Sequence, residues 1–322
     1  MALRVAVLGA SGIGRHHAKW YSSLGCEVVA FLGSSPGSVA ATAHALRDAI
    51  GFRGHGYTSL AELLLNERVD AVSVCTPPAL HARHVFNTLE AGCAVLCEKP
   101  LVWDPTASSA EMLEEAEGLL EEAERNSVLL SVNTQYVAAV EAYRQLVPQT
   151  PVPPKRFHAE MSSKRRPNNP GGQGLWFDLM PHPLSVLLAL LPDAALWPTT
   201  VRATIEEWAS RVEFEFEAKG KRCHAEIRLT RLTDPPFPRR FGLDGVIADI
   251  GSEPDEKGAY HSFVQAGDRV QACADFMETS ISRFCAAVEG QGRPLVEPAD
   301  AIRNLELMLA LLDEAKRPPF RH

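Results

Sequence analysis

The chain contains no stretch of about 18 apolar residues of the kind needed to cross a bilayer as a helix. Its longest apolar stretch, Leu184 to Trp197, is broken by Pro192 and Asp193. It has seven cysteines, scattered and without a Cys-x-x-Cys pair. That argues against a zinc site and a disulfide framework, and no bound metal is expected. Reduced thiols fit a cytoplasmic protein. No secretory leader is expected, because strand pattern begins by Leu3. The charge is not basic: 32 Lys and Arg against 40 Asp and Glu give −8. A nucleic-acid partner needs a basic face, so none is expected. The basic runs Lys164-Arg165-Arg166 and Arg239-Arg240 are short and read as solvated surface charge. Repeats and low-complexity tracts are also missing. At 322 residues, 46 % of them hydrophobic, the chain suits two globular domains, or one large one.

The first part of the chain alternates strand and helix signals. Strands are expected at 3–8, 27–32, 69–75, the run ending at Glu98, and 128–132. Helices are expected at 13–24, 37–50, 59–64, 79–91 and 106–125. Such alternation predicts an α/β fold, a doubly wound parallel sheet with helices on both faces. Past Val147 the pattern changes, at a break formed by Pro148, Pro151, Pro153 and Pro154. Strand-like segments follow at 156–162, 199–208, 211–218, 222–230 and 240–250. In one of them Val212, Phe214 and Phe216 alternate with Glu213, Glu215 and Glu217. That is the pattern of an antiparallel sheet with one wet face. Helices are expected at 180–191, 271–289 and 298–316. The expected division is therefore 1–135, a dinucleotide-binding Rossmann domain, and 136–322, an α+β domain with a mostly antiparallel sheet.

The turn after the first strand reads Gly9-Ala10-Ser11-Gly12-Ile13-Gly14. In the Gly-x-Gly-x-x-Gly fingerprint each glycine has a steric task. Gly9 suits the tight turn and Gly14 the close helix–strand contact, while Ser11 occupies the middle position with Gly12 beside it. An ordinary strand–helix turn also fits these residues. The second strand ends in Leu32-Gly33-Ser34-Ser35 without the Asp or Glu that usually binds the ribose diol of NAD. Ser11, Ser34 and Ser35 offer hydroxyl donors that suit a 2′-phosphate, so NADP is expected over NAD. No arginine lies in 34–38 to pair that phosphate, and Ser34-Ser35-Pro36-Gly37 also reads as a plain turn.

The segment 76–100 carries Thr76-Pro77-Pro78, His81, His84, Glu90-Ala91-Gly92 and Glu98-Lys99-Pro100. This series resembles the Gfo/Idh/MocA family of oxidoreductases. A second signature, an Asp followed four residues later by His, stands at Asp178 and His182. The resemblance covers most of the chain. It implies a Rossmann domain, a C-terminal open-faced sheet, NAD or NADP, and a sugar, inositol or related polyol as substrate. It further implies a homodimer or homotetramer formed through the open sheet face. Lys99, Asp178 and His182 become the catalytic candidates. Thr76, Pro77, His81, Glu98 and Lys99 join Gly9, Ser11, Gly12, Ile13, Gly14, Ser34 and Ser35 around the dinucleotide. His81 and His84 are read as supporting the cofactor domain rather than the chemistry, and His17 as structural. Many members carry a further Asp three residues past the His; Ser185 occupies that position here.

These residue types suit hydride transfer. The alcohol must lose a proton as hydride leaves carbon, and a histidine with its unperturbed pKa of about 6.5 is a suitable base. A lysine ammonium aimed at the same oxygen stabilises developing negative charge. The four-residue spacing places Asp178 and His182 on one helical face, where the carboxylate can orient the ring. Plainer roles also fit: Asp178 as a helix N-cap, His182 as a bonded helix residue, Lys99 as a surface lysine. The polar segment 162–174 has the character of a loop bordering a site. Asn133, Gln135, Tyr136 and Trp176 are candidate substrate contacts, with Trp176 suited either to stacking on a sugar or to a core. Two rival readings remain: a dinucleotide-binding sensor that has lost catalysis, and a reductase of a non-sugar substrate.

Overall fold

The computed structural model describes residues 2–147, 153–167, 169–254 and 260–316. Two compact units are formed, 1–134 with 277–302 and 135–276 with 303–322. The helix near the C-terminus is therefore shared differently from the two-block division expected. Pro148 and Pro151 of the expected break lie outside the described residues. Among the described residues no helix is long and apolar enough to cross a membrane.

The first unit runs β1 (Arg4–Leu8), α1 (Ile13–Ser23), β2 (Glu27–Leu32), α2 (Pro36–Ile50), β3 (His55–Tyr57), α3 (Leu60–Asn66), β4 (Ala71–Val74), α4 (His81–Glu90), β5 (Ala94–Glu98), α5 (Ser109–Arg125) and β6 (Leu130–Asn133). All strand pairs are parallel, in the order β3-β2-β1-β4-β5-β6. The order reverses between β1 and β4, and ligands of open α/β sheets bind at the carboxyl ends of the strands beside such a reversal. β1, β4 and β5 are almost wholly buried, which is why they read as continuous apolar runs rather than alternating ones. Capping sets the helix starts. Ser35 and Ser108 each close a capping box on α2 and α5, and Gly51 at φ 65° ends α2.

In the second unit, α6 (Ala139–Leu146), β7 (Arg156–Lys164), α7 (Gln173–Leu179) and α8 (Pro181–Leu190) precede the strands β8 (Ala195–Ile205), β9 (Ala209–Ala218), β10 (Lys221–Leu232), β11 (Arg239–Leu243), β12 (Val246–Pro254), β13 (Tyr260–Ala266) and β14 (Arg269–Cys273). The chain then enters α9 (Phe276–Val288) and α10 (Pro298–Lys316). The eight strands order as β14-β13-β12-β11-β7-β10-β9-β8. Every pair is antiparallel except β10 with β7. Val212, Phe214 and Phe216 are buried. The opposite register carries exposed ion pairs such as Arg211 with Glu226 and Arg228 with Glu226. One face is therefore packed and one charged, as the alternation predicts.

Several elements differ from expectation, among them α6 and β13, which were not expected at all. The single strand expected at 240–250 is a hairpin. Asp244 (φ 49°) and Gly245 (φ 84°) make its turn, and Asp-Gly is a favoured pair for a two-residue β-turn with both residues left-handed. The helix expected from residue 271 begins only at Phe276, and residues 269–273 are β14, paired with β13. β3 is three residues long, too short to show a periodic pattern, and α7 begins at Gln173, ahead of the helix expected from residue 180.

The core of the first unit includes part of α9. Met277, Ile281, Phe284 and Cys285 pack with Val5, Val7, Tyr21, Phe31 and Leu96. Phe284 is fully buried. Phe284→Ala should therefore cost about 3–5 kcal/mol of the first unit's stability, read in a urea unfolding curve. A loss below about 1 kcal/mol would show that α9 does not belong to this core.

Candidate active site

The glycine turn sits where close approach excludes a side chain. Gly9 has φ 86°, and a β-carbon there would lie 2.6 Å from Cys75 O, past the end of β4. A β-carbon at Gly14 would meet Gly9 O at 2.6 Å. At Gly12 it would meet nothing within 4 Å. Gly12 is also the cap position of α1, with no side-chain cap and no acid in the first turn. Uncapped backbone N–H groups at a helix start, in front of open space, form an anion cradle. Ser11 and Ile13 flank Gly12, both exposed. These features fit a dinucleotide pyrophosphate, and Gly9, Ser11, Gly12, Ile13 and Gly14 would hold it. Thr76 and Pro77 follow the end of β4 beside this turn, with Thr76 Oγ1 3.1 Å from His84 Nδ1. Ser34 and Ser35 follow β2. The Ser35 hydroxyl accepts from Ser38 N at 3.2 Å, so it caps α2 while its own proton stays available as a donor.

Lys99 follows directly on β5, at the carboxyl edge of the same sheet. Its neighbour Glu98 is buried and held by a relay from four other elements. Asn133 Nδ2, on β6, donates to Glu98 Oε1 at 2.6 Å. His17 Nε2, on α1, lies 3.0 Å from the same oxygen. An ionised carboxylate only accepts, so Nε2 carries the proton of that bond. His17 Nδ1 is 3.0 Å from Ser73 Oγ on β4, and Ser73 Oγ in turn is 2.9 Å from Tyr21 OH. On the far side Ser280 Oγ, on α9, donates to Asn133 Oδ1 at 2.8 Å. Burial by itself pushes the Glu98 carboxyl up. The His17 bond and charge, Lys99 and Asn133 outweigh it and bring the pKa down to about 2. Glu98, expected at the cofactor, thus serves first as the braced end of the strand that presents Lys99.

His81 shows a similar correction. Expected as a cofactor contact, it is 1 % exposed. Its Nδ1 lies 2.7 Å from Pro100 O and its Nε2 2.8 Å from Thr76 O. Burial holds this imidazole below its usual pKa, with the two carbonyls opposing the shift. A neutral ring donates to one of them at a time. The residue ties the end of β4 to the turn after Lys99, and both ring nitrogens are engaged by backbone carbonyls.

Asp178 and His182 lie in the second unit. Asp178 is the next-to-last residue of α7, not the N-cap that its position before Pro181 also allowed. Met180 keeps helical dihedrals, φ −60° and ψ −35°, and Pro181, without an N–H, opens α8. The ladder is interrupted but the helical path continues, so the two side chains keep their one-turn offset. From Leu175 to Leu188 every residue is buried except Asp178 and His182. His182 packs edge-on against Tyr136, centroids 4.9 Å apart. Tyr136, with Gln135, begins a single 3-10 turn after β6.

The Asp178 carboxylate is ion-paired with Arg231 of β10, whose side chain is 1 % exposed. Arg231 Nη1 also donates to Pro170 O at 2.7 Å, which ties down the polar segment before α7. Arg231 was not anticipated, yet the sequence marks it. Cys223, Ala225, Ile227 and Leu229 are buried at alternate positions of β10, and Arg231 continues that inward register. A cation placed there must find a partner. Ser185, in the position of the further Asp, is buried and accepts from Asn304 Nδ2 at 2.8 Å. Trp176, a candidate sugar platform, is fully buried and donates to Met308 O at 3.4 Å, so it is a core residue.

The fold and the cradle are those of a dinucleotide-binding Rossmann unit. Residues 3–134 match a family described as "Oxidoreductase family, NAD-binding Rossmann fold". That family is Gfo/Idh/MocA, and the match covers the strands and helices of the Rossmann unit up to Thr134. A 1,5-anhydro-D-fructose reductase from Ensifer adhaerens is 25 % identical over 97 % of this chain and 96 % of its own. An inositol 2-dehydrogenase from Agrobacterium fabrum is 29 % identical over 78 % of this chain and 67 % of its own. Among solved structures, a 3-ketoreductase from Actinomadura kijaniata in complex with TDP-benzene and NADP shares the fold, with a TM-score of 0.68, 20 % identity and 96 % of each chain covered.

The Glu98 brace has a pH signature. Its folded pKa is depressed, so its contribution is present in full above the unfolded value of 4.5 and fades as pH falls towards about 2. A shift from 4.5 to about 2 corresponds to roughly 3 kcal/mol. Glu98→Gln is expected to lose stability of that order at about pH 7, with the gap to the wild type narrowing below about pH 4.5. Urea midpoints across pH provide the check, and a gap that stays constant down to about pH 3 would contradict the arrangement.

Proposed function

We propose that the protein transfers hydride between NADP and a carbinol or carbonyl carbon of a sugar, sugar derivative or cyclic polyol. In this reading Lys99 polarises the substrate oxygen, His182 gives or takes its proton, and Asp178 assists His182. The observation that carries the reading is the pair of openings in the buried α7–α8 stretch. A helical segment that seals every other side chain from Leu175 to Leu188 leaves open an acid and an imidazole one turn apart. A packing role alone would favour apolar residues at those two positions. The substrate class follows what the relatives are named for, a reductase of an anhydro sugar and a dehydrogenase of inositol.

The nicotinamide, when bound, supplies or accepts the hydride. The chain's own contributions are the cradle at Gly12, the ammonium of Lys99 held at a braced strand end, and a proton moved at His182. Arg231 pairs with Asp178 and holds the carboxylate proposed to orient the imidazole. Preference for NADP rests on the end of β2, where Gly33, Ser34 and Ser35 stand without an acid to bind a free 2′-hydroxyl or repel a 2′-phosphate. The A. kijaniata 3-ketoreductase, a structural neighbour, was solved with NADP. Gln135 and Tyr136 are proposed substrate contacts. Assembly through the charged open face of the eight-stranded sheet, as dimer or tetramer, and a cytoplasmic location complete the proposal.

Lys99→Ala and His182→Ala are each expected to lower kcat by roughly 10²–10⁴-fold on the preferred substrate of a sugar and polyol panel. The dissociation constant for the dinucleotide, from quenching of tryptophan fluorescence, should change little in both variants. Undiminished turnover in either variant would remove that residue from the chemistry. Absence of turnover across the panel in the wild type, with NADP and with NAD, would overturn the proposal as a whole.

A further inference from the structure

At the opposite end of the Rossmann sheet, two thiols from distant parts of the chain face each other. Cys26 immediately precedes β2, and Cys285 lies on α9, 259 residues further along. Their sulfurs are 3.7 Å apart. A disulfide needs about 2.05 Å, so the pair lies within a side-chain adjustment of bonding. Cys285 is 9 % exposed in the core against which α9 packs, whereas Cys26 is half-buried. Cys26 also lines a surface cavity of about 350 Å³ with Arg4, Glu27, Arg53 and His55. Arg4 and Glu27 begin β1 and β2, so this cavity opens at the amino ends of the strands. It lies a strand length from the Gly9 turn, roughly 13 Å for four residues. Nothing in the proposed hydride chemistry uses these thiols.

We propose that Cys26 and Cys285 are an oxidisable dithiol, with Cys26 as the attacking sulfur and Cys285 as the resolving one. A peroxide enters by the cavity. The Cys26 thiolate attacks one peroxide oxygen, the O–O bond breaks, and a sulfenic acid forms as hydroxide leaves and takes up a proton as water. The Cys285 sulfur then attacks the Cys26 sulfur, loses its proton, and displaces the sulfenic oxygen as a second water. The sum is two thiols and one hydrogen peroxide to one disulfide and two waters. The sulfurs give up two electrons, which reduce the peroxide. A contact between neighbouring thiols lowers the Cys26 thiol, because Cys285 donates a hydrogen bond to it. Burial pushes Cys75, Cys93, Cys97 and Cys223 up instead, and reactivity follows the thiolate. The bond would fasten α9, and with it Ser280 and the hydrogen bond it gives Asn133, to the start of β2.

The test treats the folded full-length protein with one equivalent of hydrogen peroxide, followed by alkylation under denaturing conditions and peptide mapping. The expected result is loss of two of the seven thiols, one Cys26–Cys285 cross-linked peptide, no dimer on a non-reducing gel, and full recovery with a dithiol reductant. Cys285→Ser should instead leave Cys26 as a sulfenic acid trapped by dimedone, and Cys26→Ser, at the half-buried position, should show neither product. Seven persisting thiols, a cross-link between other cysteines, an intermolecular bond, or an unchanged loss of two thiols in Cys26→Ser would each overturn the proposal.

Discussion

A carboxylate sealed into a protein must find donors and positive charge around it, because isolated burial of an ion is strongly unfavourable. Glu98 meets that requirement with His17 and Asn133, and with Lys99 beside it. The bonds to Glu98 recruit α1, β6 and, through the second partners, β4 and α9. Five segments separated widely in sequence are thereby fixed around the residue before Lys99. The lysine emerges from a strand end that cannot move without breaking a buried network. His81 fixes the other side of the same turn by linking Pro100 O and Thr76 O. Orientation-dependent catalysis needs close positioning, and under the role proposed for Lys99 the buried acid would supply it.

The second unit handles its carboxylate differently. Asp178 stays a third exposed, and its partner Arg231 is the group that is sealed. The buried guanidinium reaches the acid and the carbonyl of Pro170 together, so one side chain links β10, α7 and the polar segment before α7. The parallel pairing of β10 with β7 sets Arg231 beside Ser163, near the end of β7 from which that segment departs. Glu98 is a closed brace and Asp178 an accessible group held from behind. The same pairing of opposite charges thus gives a fixed scaffold in one unit and an available carboxylate in the other.

Much of the fold was legible because each pattern has a direct physical origin. Parallel strands covered on both faces read as apolar runs, and the antiparallel sheet reads as alternation, as at Val212 to Glu217. Lys99 and the glycine turn were legible for the same reason, since each follows a strand end. Elements with weak or mixed signals were not. β3 is three residues long, α7 is short and starts among glycines, and the Asp244-Gly245 turn was passed over inside what read as one strand. The sequence leaves Trp176 open between a sugar platform and the core, because nothing local distinguishes a buried ring from one that faces a ligand. Arg231 was missed although its register carried the information, because an inward charge reads as solvated until its strand's faces are known.

The sequence by itself determined the two kinds of sheet, the position of the dinucleotide turn, and the one-turn offset of Asp178 and His182, since all three depend on periods and spacings within a few residues. The tertiary structure decided that α9 returns to the first unit, that His17 and Asn133 meet at Glu98, that Arg231 holds Asp178, and that Cys26 faces Cys285. Those are contacts between residues from about 35 to 259 positions apart. They exist only once the sheets have formed and the packing around them has brought distant segments together.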